Sequence, residues 1–348
     1  RNGNDVSFNL SGSASGYYNP DYGYWEWYGY MELTFGPDTY YVDQYYDRPM
    51  DLNLTQTLVP GVATTGSYYV DGAYSANGSG SFSVILFDTA TTYGGTSGID
   101  YVFGSAAADK LSGGAGDDGL DGGAGNDWLS GGAGRDLIEG GDGRDTASYA
   151  GATGAVVARL YNGLLGEGEA AGDRYVSVES LEGSNFNDRL YGDDKGNTLW
   201  GRDGVDALFG LKGDDVLEGG KGADMLFGDV GSDTATYVSS TARVVASLVT
   251  GIGTAGDADG DTYNGIENLT GSAFDDRLTG NAAVNILRGA SGNDVLRGLA
   301  GDDTLYGGYG DDLLQGGAGA DMIDGGLGGD TVSYAGATAG IVANLAAP

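Results

Sequence analysis

Neither cysteine nor histidine occurs anywhere in the 348 residues. Without them there is no Ser-His-Asp triad, no thiol nucleophile, no disulfide framework and no zinc site of the usual nitrogen or sulfur kind. Positive charge is scarce too: 16 Lys and Arg stand against 50 Asp and Glu, a formal net charge of −34. Such a chain repels phosphate backbones and anionic lipid surfaces, which argues against nucleic acid and membrane as partners. Apolar runs long enough to span a bilayer, about 18 residues, are missing as well. Glycine is plentiful, with 69 residues against only 5 prolines. High charge with abundant glycine reads as disorder on composition alone, so periodicity has to decide. The chain opens at Arg1, without a Met or a signal peptide, and is read as a fragment or processed form.

Composition shifts near residue 98. Residues 1–98 are rich in Tyr and alternate with period 2: Val6, Phe8 and Leu10 share one face, as do Trp25, Trp27, Met31, Leu33 and Phe35. Breaks such as Asn19-Pro20-Asp21 and Gly36-Pro37-Asp38 separate the runs. This pattern predicts a small antiparallel β-sandwich. Its aromatics exceed what one small core can bury. Tyr24, Trp25, Trp27, Tyr28 and Tyr30 are the candidate ligand-binding residues, because flat apolar rings with a polar edge suit stacking on sugars. The alternative is an aromatic-rich sandwich with partly exposed Tyr, or a face packed on the rest of the chain.

From Gly104 the sequence repeats every nine residues as Gly-Gly-x-Gly-x-Asp-x-Leu-x, clearest in Gly122 to Ser130. The units fall in three runs, 104–148, 183–236 and 271–333, and all 18 carry Gly at position 1. Position 6 is Asp109, Asp118, Asp127, Asp136 and Asp145 in the first run, and Asp188, Asn197, Asp206, Asp215, Asp224 and Asp233 in the second. In the third it is Asp276, Asn285, Asp294, Asp303, Asp312, Asp321 and Asp330. Position 8 is Leu, Ile or Val except at Ala147 and Ala235. Such a register defeats the disorder reading. Joining segments 149–182 and 237–270 each open on a Tyr, Tyr149 and Tyr237, and a third, cut short, begins at Tyr334. The segments contain Gly172-Asp173 and Gly256 to Asp261, read as exposed turns with further metal sites as the alternative.

One apolar residue in nine cannot stripe a helix. It can form a three-residue strand with Leu inward, joined by a wide turn in which Gly accepts backbone angles that other residues resist. Two nonapeptides then close one coil, and coils stack at about 4.8 Å. The turns line up their position-6 carboxylates in columns that repel unless a cation lies between them. Carboxylate and carbonyl oxygens without His or Cys suit Ca²⁺, and suit Mg²⁺ less well. Position 5, often acidic, is expected to be solvated, and Trp128 and Trp200 to face outward.

These repeats resemble the repeats-in-toxin (RTX) family over about residues 99–348. The resemblance implies a Ca²⁺-bound parallel β-roll in three runs joined by short β segments; with the sandwich that the alternation predicts for residues 1–98, the chain is expected to be all-β. It implies that each ion is held between turns one coil apart, by position-6 carboxylates such as Asp109 with Asp127 or Asp206 with Asp224, and by turn carbonyls. On that pattern about a dozen Ca²⁺ ions bind. Five units depart from it: Ala107, Phe186, Phe274, Lys195 and Ala283 replace the position-4 Gly. The resemblance further implies type I secretion from a Gram-negative bacterium, folding outside the cell as Ca²⁺ fills the sites, and an extracellular or cell-surface location. The first functional reading is a non-enzymatic structural or adhesive module, adhesin- or surface-layer-like, that contacts cell-surface or matrix polysaccharide through residues 1–98. The second is the accessory and secretion region of a secreted protease, lipase or polysaccharide epimerase whose catalytic domain lies upstream.

Overall fold

The computed structural model describes residues 92–161 and 166–337 in full. Within residues 1–91 it gives backbone strands alone, among them Tyr24–Phe35 paired antiparallel with Asp38–Tyr46. The sandwich expected there, and the side chains of Tyr24, Trp25, Trp27, Tyr28 and Tyr30, lie outside the described residues. So does the joining segment expected from Tyr334, beyond residue 337.

From Thr92 the chain winds as a parallel solenoid whose first strand, Thr92–Thr96, precedes the boundary expected at 98. The register shows the coil length directly. Leu111 sits beside Leu129, and Leu120 beside Ile138, each eighteen residues on. Two nonapeptides therefore close one coil, with a strand on each side. Position 8 points inward throughout, and the Leu column from Leu111 to Leu314 is at most 1 % exposed. Sequestering each such side chain from water stabilises the coil by about 1.5–3 kcal/mol before entropy is counted. Many strands run longer than three residues; Trp128–Ala133 continues through positions 1–3 of the next unit.

One face of the solenoid is a single twelve-stranded sheet from Thr92–Thr96 to Met322–Leu327. It passes both joining segments without a break, since Ala147 pairs with Leu181 and Ala235 with Leu269. The opposite face is divided. Its first stack ends on Arg174–Val176, and a new eleven-stranded sheet begins at Val157–Arg159. At the joints Tyr175 pairs with Ile138, and Tyr263 with Leu226, so a Tyr takes the place of the inward Leu. Tyr149 and Tyr237, at 2 % and 1 % exposure, fill the core beside them. The described residues contain two single-turn 3-10 helices, Gly168–Ala170 and Gly256–Ala258, and no helix long and apolar enough to cross a membrane.

Candidate metal centre

Apart from the half-buried Asp321 and Asp330, the position-6 carboxylates are buried in two columns, and their two oxygens have different fates. One oxygen accepts the main-chain N–H of the position-6 residue one coil earlier. Asp118 accepts from Asp100, Asp127 from Asp109, Asp206 from Asp188, and Asp312 from Asp294, at 2.7–2.8 Å. The other oxygen points into the gap between turns. For Asp118, Asp127, Asp136, Asp145, Asp206, Asp215, Asp224, Asp233, Asp294, Asp303 and Asp312 this Oδ2 is buried and has no hydrogen-bond partner. Buried polar atoms are nearly always partnered, and an ionised one left alone is costly. Burial pushes these acids up from the ordinary 3.8: Asp118, Asp206, Asp215 and Asp294 to about 7, and Asp136 to about 8, with repulsion from Asp173 adding to it.

The glycines make the gap. A Cβ on Gly122 would lie 2.4 Å from Asp127 Oδ2 and 2.6 Å from the carbonyl oxygen of Gly140, so carboxylate and next-coil carbonyl line the same space. At position 4, Gly134 has φ +150°, and an added Cβ would fall 1.7 Å from Gly116 O. Neither side-chain bulk nor an ordinary backbone is tolerated at that turn.

The first coil of each run is built differently. Asp109 Oδ2 accepts the amide of Ser105 at 2.6 Å, Asp188 Oδ2 that of Ser184 at 2.5 Å, and Asp276 Oδ2 that of Ser272 at 2.5 Å. Asn197 and Asn285 accept from Asp193 and Asn281, both at 2.7 Å, and donate Nδ2 to the carbonyls of Glu179 and Glu267. Position 2 decides between the two designs. In interior turns it has positive φ, as Gly or even as Arg202, Leu211 and Leu299, and in the capped turns it does not. Of the residues expected to bind metal, Asp109, Asp188, Asp276, Asn197 and Asn285 thus engage their side chains within the protein. Asp321 and Asp330 close the ladder by accepting from Asp303 at 3.1 Å and Asp312 at 3.0 Å.

Several participants are not among the sequence candidates. Asp100 is a position-6 residue of a unit starting at Gly95, where Thr96 caps one oxygen at 2.6 Å and the other is unpartnered. Asp173 and Asp261, read as exposed turn residues with further metal sites as the alternative, are fully buried and accept the amides of Asp136 and Asp224 at 2.9 and 2.8 Å. Position 5 is exposed as expected, yet it is not idle. Asp117, Asn126, Asn187 and Asp302 accept the position-5 amide one coil later at 2.8–3.0 Å, a second ladder that runs opposite to the first. Trp128 and Trp200 flank the inward Leu129 and Leu199 and face outward as expected, where they lie half-buried. Their rings stack with centroids 5.8 Å apart over a groove edged by Glu182, Arg202 and Glu218.

The donor set is all oxygen, and its unpartnered atoms are aimed into gaps bordered by carbonyls. Among the described residues no three acidic side chains converge on one point, so carbonyls must complete any shell. Both features fit Ca²⁺, which takes six to eight oxygens and accepts irregular geometry. The model of the RTX calcium-binding nonapeptide repeat matches residues 94–129, 120–147, 182–217, 201–235, 261–296 and 297–332. No curated protein matches the chain.

Proposed function

The chain belongs to the RTX calcium-binding nonapeptide repeat family, and from that premise we propose a non-enzymatic extracellular module that is exported unfolded, by type I secretion from a Gram-negative bacterium, and folds when Ca²⁺ fills its turns. The twelve buried aspartate oxygens without a protein partner carry this reading. Bound Ca²⁺ supplies the positive charge and the coordination that those oxygens lack.

The protein's own groups do the rest. The position-6 Oδ1 fixes each carboxylate against the previous coil, the position-1 glycine leaves room beside Oδ2, and the Leu column zips shut only when consecutive turns are in register. Where free Ca²⁺ is scarce the columns repel and a core one residue deep does not hold the chain together. Where it is abundant, binding to the folded state alone drives folding by mass action.

The folded solenoid serves as a structural and adhesive scaffold. Contact with cell-surface or matrix polysaccharide falls to the Tyr- and Trp-rich segment around residues 24–30, since aromatic residues suit stacking on sugars. The test is retention of the chain on a panel of polysaccharides, in millimolar Ca²⁺ and again in chelator. The proposal expects retention on a defined glycan in Ca²⁺ only, lost when Trp25 and Trp27 are changed to Ala. No retention in either buffer rejects the adhesive role and leaves a Ca²⁺-folded scaffold.

A further inference from the structure

The metal columns do not stop where the repeats stop. Asp145 is the last position-6 residue of the first run, and its Oδ2 is fully buried and unpartnered. Within a run that oxygen faces the position-1 carbonyl of the next coil. Here no nonapeptide follows, and the joining segment supplies the replacement: a Cβ on Gly140 would lie 2.5 Å from Asp145 Oδ2 and 2.1 Å from Ser177 O. The amide of Asp145, which within a run would bond the next Asp, donates to Glu179 Oε2 at 3.0 Å. On the other column Asp136 Oδ2 is likewise buried and unpartnered, and the amide of Asp136 donates to Asp173 at 2.9 Å.

The arrangement recurs at the end of the second run. Asp233 Oδ2 is unpartnered and faces Gly265 O, and the Asp233 amide donates to Glu267 Oε2 at 3.0 Å. Asp224 Oδ2 is unpartnered, and the Asp224 amide donates to Asp261 at 2.8 Å. Spacings of 34 and 37 residues replace the eighteen of the repeat, yet the same donors and acceptors meet.

We propose that Asp173, Glu179, Asp261 and Glu267 are Ca²⁺ ligands, completing one further site each with Asp136, Asp145, Asp224 and Asp233. The inference rests on Ca²⁺ occupying the interior turns. The columns then end by design. The second oxygen of Asp173 accepts the Tyr149 hydroxyl at 2.7 Å, and that of Asp261 the Tyr237 hydroxyl at 2.8 Å, so a neutral donor stands where a further ion would be. On the other side Asn197 and Asn285 place an amide against the Glu179 and Glu267 carbonyls. A joining segment is thus both the last ligand of one column and the stop before the next.

The test is Ca²⁺ bound per chain at saturation, counted for the full chain and for Asp173→Asn, Glu179→Gln, Asp261→Asn and Glu267→Gln. Each change should remove one ion, and the quadruple variant four, with the circular dichroism of the Ca²⁺-loaded roll retained. Asp206→Asn, inside a run, is the comparison. If it loses an ion and the four do not, the joining-segment sites are refuted while Ca²⁺ binding by the repeats stands. If it loses none, both fall. Anomalous density from crystals of the unsubstituted chain grown in Ca²⁺ does not depend on any variant folding. Peaks beside Glu179 and Glu267 support the proposal, and filled interior turns without them overturn it.

Discussion

Asp127 accepts the amide of Asp109 through Oδ1 at 2.8 Å, while its Oδ2, buried beside Gly122, has no partner. One oxygen sets the coil register and the other is held out for a cation. Asp127→Asn separates the two roles, because it keeps an acceptor and replaces the unpartnered oxygen with a donor. Measured by denaturant unfolding in saturating Ca²⁺, it should cost at least about 1–3 kcal/mol, the scale of a buried polar group left unmatched. A cost near zero would mean that Oδ2 meets no ion.

The Leu column makes each coil depend on its neighbours. Leu208 is fully buried between Leu190 and Leu226. Leu208→Ala should destabilise the Ca²⁺-loaded protein by about 2–5 kcal/mol, through lost burial and the cavity left behind. Equilibrium unfolding in urea at fixed Ca²⁺ reads this directly.

Position 2 of the interior turns is a place where natural side chains sit in a strained backbone. Leu299 has φ +83° and is 40 % exposed, so its side chain contributes little packing. Leu299→Gly removes a strain of about 1–2 kcal/mol against a smaller glycine entropy cost. The melting temperature in Ca²⁺ should rise slightly. A fall would place the side chain in a contact that the solenoid needs.

The pH dependence reverses between chelator and Ca²⁺. Burial holds Asp118 and Asp206 at about 7 and Asp136 at about 8, against an ordinary 3.8. Without metal the folded state therefore binds more protons than the unfolded chain between about pH 4 and pH 8, and its stability falls as pH rises through that window. In chelator, β-structure should be greater at about pH 5.5 than at about pH 8. In Ca²⁺ protons compete with the ion, so affinity should drop on acidification. Circular dichroism and Ca²⁺ titration at the two pH values check both signs.

Much of this architecture is legible in residues. Period nine, the Leu at position 8 and the Asp at position 6 predict the eighteen-residue coil that pairs Leu111 with Leu129. What escapes is whatever departs from the repeat in type or spacing while keeping its place in space. Asp100 lies in Gly95-Thr96-Ser97-Gly98-Ile99-Asp100, where one missing glycine and an aromatic strand hide the register. Glu179 is a different acid at a different spacing, and only the solenoid's closure brings its carboxylate to the Asp145 amide. Capping of the first coils was written in the sequence too. Ser105, Ser184 and Ser272 occupy position 2, where the interior turns need a positive φ. The physical meaning of that exchange emerges only once the amide is seen to bond the carboxylate.

The central claim is that Ca²⁺ in the carboxylate columns holds residues 92–337 folded. Its most direct test is far-UV circular dichroism of the chain at neutral pH during a Ca²⁺ titration from excess chelator. The account predicts a largely unfolded spectrum in chelator and a cooperative rise of β-signal as Ca²⁺ is added. A native β-spectrum that persists in excess chelator, unchanged by Ca²⁺, would contradict it.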